Sequence, residues 1–63
     1  MIEVVNVGDR EVTVRGARDA GGVQEVVVIP PGAAVGFVRV SVPGEIVVRR
    51  AGTRVEVAER LNE

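Results

Sequence analysis

Valine at alternate positions is the feature of this sequence that most limits what it can fold into. Seventeen of the 63 residues are Val, and apolar residues recur at every second position over most of the length. Valine is stiff about χ1 and packs well on a pleated surface, and a period of two places successive side chains on opposite faces of a strand. The pattern therefore predicts an all-β domain.

Segments rich in Gly, Pro and Asp divide this pattern into about six short strands. We predict strands at residues 2–7, 11–15, 23–29, 35–42, 45–50 and 54–58. Their spacing favours a small antiparallel β-sandwich or barrel built from hairpins. Four apolar residues follow one another at 26–29, so the alternation leaves open which side of the third strand faces inward.

The chain is long enough for one domain, which we place at residues 1–63, with a short tail at 58–63 of helix-favouring composition. A domain of this length buries only roughly 60% of the surface that its unfolded chain exposes. The sequence has no Cys and no His, so it cannot form disulfides and lacks the usual ligands of a structural zinc ion. These facts favour stabilisation by a partner subunit.

Two hairpins account for most of the alternation. A three-residue loop at Gly8, Asp9 and Arg10 would place Val4 opposite Val14, and a loop centred on Pro43 would pair Val40 with Ile46. The faces turned outward then keep several apolar side chains. We predict a protein interface there, anchored by the only aromatic residue, Phe37, with Val5, Val7, Val35 and Val47 around it. A closed barrel, or a strand buried on both sides, would also explain these residues.

The side chains offer little for catalysis. The hydroxyls of Ser41, Thr13 and Thr53 have no His or Lys to act as their base. Asp9 and Asp19 lie in glycine-containing loops, but neither loop has the oxygen-ligand spacing of a calcium site. We therefore expect a protein that is not an enzyme and that binds no cofactor and no metal.

Arginine supplies all the positive side-chain charge, and four of these residues suggest a second interpretation. Arg39, Arg49, Arg50 and Arg54 could form a basic stripe across the last three predicted strands and bind nucleic acid. The net charge of −1 opposes this, as does the lack of the aromatic stacking platforms that single-strand binders normally offer. Cross-strand pairing of Arg with Glu45 and Glu56 is the favoured explanation.

Membrane and export signals are not evident in the sequence. The longest apolar run, residues 26–31, is far shorter than the ~20 residues of a membrane helix. The first residues lack the basic and apolar regions of a signal peptide. We expect no membrane partner, and a cytoplasmic location if the protein is cellular.

Three stretches resemble a known class of protein. They are VVNVGDREVTV at 4–14, VVVIPPGAAVGFV at 26–38 and PGEIVV at 43–48. This succession resembles the small β-sandwich head-decoration and related structural proteins of bacteriophage virions. The resemblance implies a non-enzymatic virion component that stabilises a capsid or tail lattice, often as a homo-oligomeric trimer, and that is made in the host cytoplasm. A cellular adaptor or accessory subunit that binds by strand addition is the other interpretation.

Overall fold

The fold is all-β, as the alternation predicts. A computed structural model describes residues 1–59. Its strands are β1 (Ile2–Asn6), β2 (Val12–Ala17), β3 (Gln24–Ile29), β4 (Ala34–Phe37), β5 (Arg39–Ser41), β6 (Ile46–Ala51) and β7 (Arg54–Glu59). The last predicted strand, 54–58, is β7, which extends one residue further to Glu59, a residue predicted to lie in the tail. Residues 60–63 of that tail lie outside the described residues.

The strands form two sheets that enclose one core. The four-stranded sheet has the order β4-β1-β7-β6, and the three-stranded sheet has the order β3-β2-β5. Every pairing is antiparallel except that of β1 with β7, which is parallel. Between the sheets lie the buried side chains of the core, which are Val4, Val12, Val14, Ile29, Phe37, Val55 and Val57.

The two predicted hairpins are wrong, although the inward faces assigned within them are largely right. β1 pairs with β4 and β7, whereas β2 pairs with β3 and β5, so residues 7–11 cross from one sheet to the other. The segment around Pro43 likewise joins β5 of one sheet to β6 of the other. Val4, Val12 and Val14 are nevertheless buried as expected. The face of a side chain depends on its place along its own strand, whichever strand lies beside it.

A corner at Val38 divides the predicted strand 35–42 into β4 and β5. The Val38 amide donates a hydrogen bond to the carbonyl of Ala17 at 2.7 Å, which transfers the chain from the four-stranded to the three-stranded sheet. Because of this corner the alternation shifts by one residue. Val35 and Phe37 face inward before it, and Val40 faces inward after it.

Gly16 of β2 lies against the Phe37 ring at this corner. A Cβ atom at position 16 would come 2.7 Å from Phe37 Cδ1 and would also clash with the main-chain carbonyl of Arg39. The two sheets can approach this closely only because Gly16 has no side chain.

Asn6 is a fully buried polar residue in β1. Its side-chain amide nitrogen donates to the carbonyls of Arg10 at 2.7 Å and Ile29 at 2.8 Å, and its Oδ1 accepts from the Gly8 amide at 2.9 Å. These bonds hold the crossing segment 7–11 and the end of β3 against β1. They satisfy the buried amide, which would otherwise destabilise the core.

Candidate protein interface on the four-stranded sheet

The outer face of the four-stranded sheet combines apolar and charged side chains. Strand register aligns Glu3 with Arg54, Val5 with Glu56, Arg49 with Glu56 and Val47 with Ala58. The neighbours of these residues along β1 and β7, Val4, Val55 and Val57, are buried in the core, so the aligned residues point away from it.

An apolar cluster occupies one end of this face, and we call it the outer patch: Val5, Val7, Val47 and Ala58. The Val7 amide donates to the carbonyl of Val57 at 2.9 Å, so residue 7 continues β1 alongside β7. Val7 is 52% exposed and Val47 is 49% exposed, while Val5 and Ala58 are half-buried. Val7, Val47 and Ala58 line an open depression of about 290 Å³. Large apolar side chains that cluster around a depression are typical of protein-binding surfaces.

Charged residues border the outer patch along the strands. An Arg49 guanidinium nitrogen lies 3.7 Å from Oε1 of Glu56, with the arginine side chain 80% exposed and the glutamate side chain 25% exposed. An ion pair this exposed adds little to stability. A charged border around an apolar centre is the usual organisation of a protein interface, in which the border contributes orientation and specificity.

The structure brings three of the five predicted interface residues together. Val5, Val7 and Val47 all lie on the outer patch. The expectation that Phe37 lies on an outer face is wrong, because the shift at Val38 turns its ring into the core, where it is 0% exposed. Val35 is also misplaced: it is aligned with Val4 and packs half-buried against the core.

Ala58 is the member of the outer patch that the sequence prediction missed. Ala58 was placed both at the end of the predicted strand 54–58 and at the start of the tail 58–63, and it was not included among the interface residues. The alternation of Arg54, Glu56 and Ala58 contained the signal that could have placed it on the outer face.

The four arginines of the predicted basic stripe are dispersed. Arg39 lies on β5 in the three-stranded sheet, and the other three lie on β6 and β7 of the four-stranded sheet. Arg49 and Arg50 are consecutive in β6 and therefore point to opposite faces. Arg49 is paired with Glu56, as expected for cross-strand pairing. The prediction of one continuous stripe is therefore wrong.

The third strand turns two of its three valines, Val26 and Val28, outward, and Val27 and Ile29 face the core. Ile29 is buried and Val27 is half-buried, whereas Val26 is 62% and Val28 is 50% exposed. Val26, Thr13, Arg15 and Ser41 line a second depression, of about 310 Å³, on the three-stranded sheet. Strand register aligns Val26, Arg15 and Ser41 in one row across this sheet, so two of the three residues in that row are polar.

The two loop aspartates considered as metal ligands lie in separate turns. The carboxylate of Asp19 accepts a hydrogen bond from the Gly21 amide at 2.9 Å, which gives it a role in its own turn. Within residues 1–59, no three side chains of His, Cys, Asp or Glu are grouped as metal ligands would be.

Comparisons of the chain with protein-family models, with curated proteins and with solved structures found no match. The part of the chain that the structure describes contains no helix that is long and apolar enough to cross a membrane.

Proposed function

We propose that this domain is a non-enzymatic assembly module that docks onto another protein through the outer patch. The observation that carries this proposal is the position of Val7 and Val47, which flank Ala58 on one sheet face and are each about half exposed. Burial of apolar surface contributes roughly 25 cal/mol per Å², so covering these side chains would stabilise a small domain as well as bind its partner.

In the form suggested by the resemblance to head-decoration proteins, the partner is a capsid or tail lattice and the protein is a structural component of a virion. A lattice offers the additional buried area that a chain of 63 residues lacks. The charged border formed by Arg49 and Glu56 would orient the domain on that lattice. Support for the virion form comes from the resemblance and from the exposed valines.

The test uses particles assembled from the structural proteins of the genome that encodes the chain. Purified chain is mixed with these particles, and the bound fraction is measured after gradient sedimentation. We expect the unmodified chain to sediment with the particles and Val7→Glu to bind at least about tenfold more weakly, since a charge would be buried without a partner.

Val26→Glu is the matched control, because it introduces the same charge at an exposed valine of the other sheet. Equal loss of binding in both variants would contradict the outer patch as the docking site. If the encoding genome has no capsid or tail genes beside this one, the proposal that the protein is a structural component of a virion fails. The outer patch is then tested with the same pair of variants by quantitative affinity capture from the source cells.

A further inference from the structure

Strand β6 is an edge of the four-stranded sheet that carries exposed apolar residues. Among residues 1–59 its only strand neighbour is β7. Val47 on its outer side and Val48 on its inner side are 49% and 40% exposed. Such an edge presents unpaired backbone N–H and C=O groups beside apolar side chains, and it is suited to pairing with another strand.

A second copy of β6 fits this edge when the two strands are related by a twofold axis perpendicular to the sheet. The strands then run antiparallel, and directly opposed residues lie on the same face. Side chains alternate between the two faces along a strand, so a residue of β6 can lie opposite only itself or residues an even number of positions away in the second copy. The twofold axis must therefore pass between one residue of β6 and the same residue of the second copy. The pattern of charges decides which residue that is.

An axis at Arg49 would oppose two like charges, and an axis at Val48 would place Val47 opposite Arg49 of the second copy. An axis at Val47 instead opposes Val47 to itself and Ile46 to Val48. It also sets Glu45, in the turn closed by the Ile46 amide and the Pro43 carbonyl at 3.1 Å, beside Arg49 of the second copy. Only this last register combines apolar pairs with opposite charges at both ends.

The same register makes the outer patch continuous across the axis. Val7, Ala58 and Val47 form a row on the outer face that ends at β6. With Val47 on the axis, this row meets its own copy and doubles in length. We propose that the chain forms a twofold dimer in which two β6 strands pair antiparallel about Val47 and join two sheets into one of eight strands. This inference goes beyond the proposed function, since the dimer forms whether or not the doubled patch docks elsewhere.

The absence of cysteine in the chain allows a register-specific test. In the proposed dimer the two Val47 Cα atoms are about 4.5–5.5 Å apart, within the range that a disulfide spans. The two Arg49 Cα atoms are separated by four residues along the strand, about 13 Å, which a disulfide cannot span. We expect Val47→Cys to oxidise to a covalent dimer and Arg49→Cys to stay unlinked under the same conditions.

Sedimentation of the unmodified chain gives a second readout that needs no crosslink. We expect twice the chain mass, and we expect Glu45→Arg to raise the dimer dissociation constant at least about tenfold by opposing it to Arg49. Adding Arg49→Glu to that variant should restore the dimer, because the charge pair is then re-formed in reverse. Circular dichroism of each variant checks that the strands are intact.

A monomer or a trimer in sedimentation would overturn the dimer. Equal linking of Val47→Cys and Arg49→Cys, or linking of Arg49→Cys alone, would overturn the register, as would a double variant that stays dissociated. A chain that is monomeric but still binds particles through Val7 would overturn this inference and leave the docking proposal intact. If the chain is a dimer but its Val7→Glu variant binds particles normally, the docking proposal is overturned and the dimer inference stands.

Discussion

The side-chain amide of Asn6 in β1 donates a hydrogen bond to the main-chain carbonyl of Ile29 in β3, at 2.8 Å, and so links the two sheets through the core. A second hydrogen bond from the same nitrogen reaches Arg10 at 2.7 Å. One buried side chain thereby fixes the segment that carries the chain between sheets.

Replacing Asn6 with Leu should lower the free energy of unfolding by about 2–4 kcal/mol, since the buried carbonyl of Ile29 and the partly buried carbonyl of Arg10 lose their donor. Urea denaturation measures the change. Gln24→Leu is the control, because it makes the same replacement of an amide at an exposed position of β3 and should change stability by less than about 0.5 kcal/mol. Equal losses in the two variants would show that the Asn6 hydrogen bonds do not organise the fold.

Truncating Phe37 should unfold the domain rather than merely weaken its associations. The ring is the largest fully buried side chain, and Phe37→Ala should cost about 3–5 kcal/mol. Val38→Ala, at the adjacent residue that is 42% exposed, should cost less than about 1 kcal/mol. A stable Phe37→Ala variant with near-native denaturation would place the ring outside the core.

Gly16 should not tolerate even a methyl group. Gly16→Ala would force the Phe37 ring and the Arg39 carbonyl to move, and we expect a loss of about 1–3 kcal/mol in thermal or urea unfolding. Gly44→Ala is the matched control, because a Cβ there would meet no heavy atom within 4 Å. A Gly16→Ala variant as stable as Gly44→Ala would mean that the corner is less closely packed than described.

Nucleic acid should not bind through the dispersed arginines. Four arginines acting together on duplex DNA would give a slope of about −3.6 in log affinity against log salt concentration. With Arg39 on the other sheet and Arg49 paired with Glu56, we expect no such dependence. Fluorescence anisotropy with labelled duplex DNA and single-stranded RNA at low and moderate salt makes the measurement. Tight binding whose affinity falls with salt concentration at that slope would contradict the conclusion that the four arginines are too dispersed to act together.

The alternation of apolar residues within each strand predicts much of the fold. The sequence prediction is wrong where pairing between distant segments determines the structure. The inward positions of Val4, Val12 and Val14 depend only on the period of two within each strand, so the sequence predicts them. The parallel pairing of β1 with β7 joins residues about fifty positions apart, and nothing local encodes it. Phe37 was assigned to the wrong face because the corner at Val38 shifts the alternation by one residue.

The candidate interface was partly predictable for the same reason. Val5, Val7 and Val47 lie in regular strands or directly beside them, and their outward orientation follows from their neighbours in the core. Their proximity to one another does not follow, because β6 reaches β1 only through β7. Asn6 was in phase with Ile2 and Val4, which is the signal that could have identified it as buried.

The central claim is that the apolar residues exposed at the β6 edge are covered by a second copy of the chain. The dependence of the thermal midpoint on protein concentration tests it most directly, because association with the native state stabilises it by mass action. Over a hundredfold rise in protein concentration, the thermal midpoint of the unmodified chain should increase by about 5 °C or more. The midpoint of the control variant Val28→Arg should increase by the same amount. The midpoint of Val47→Arg should stay constant. A single midpoint for the unmodified chain at every concentration would contradict the claim.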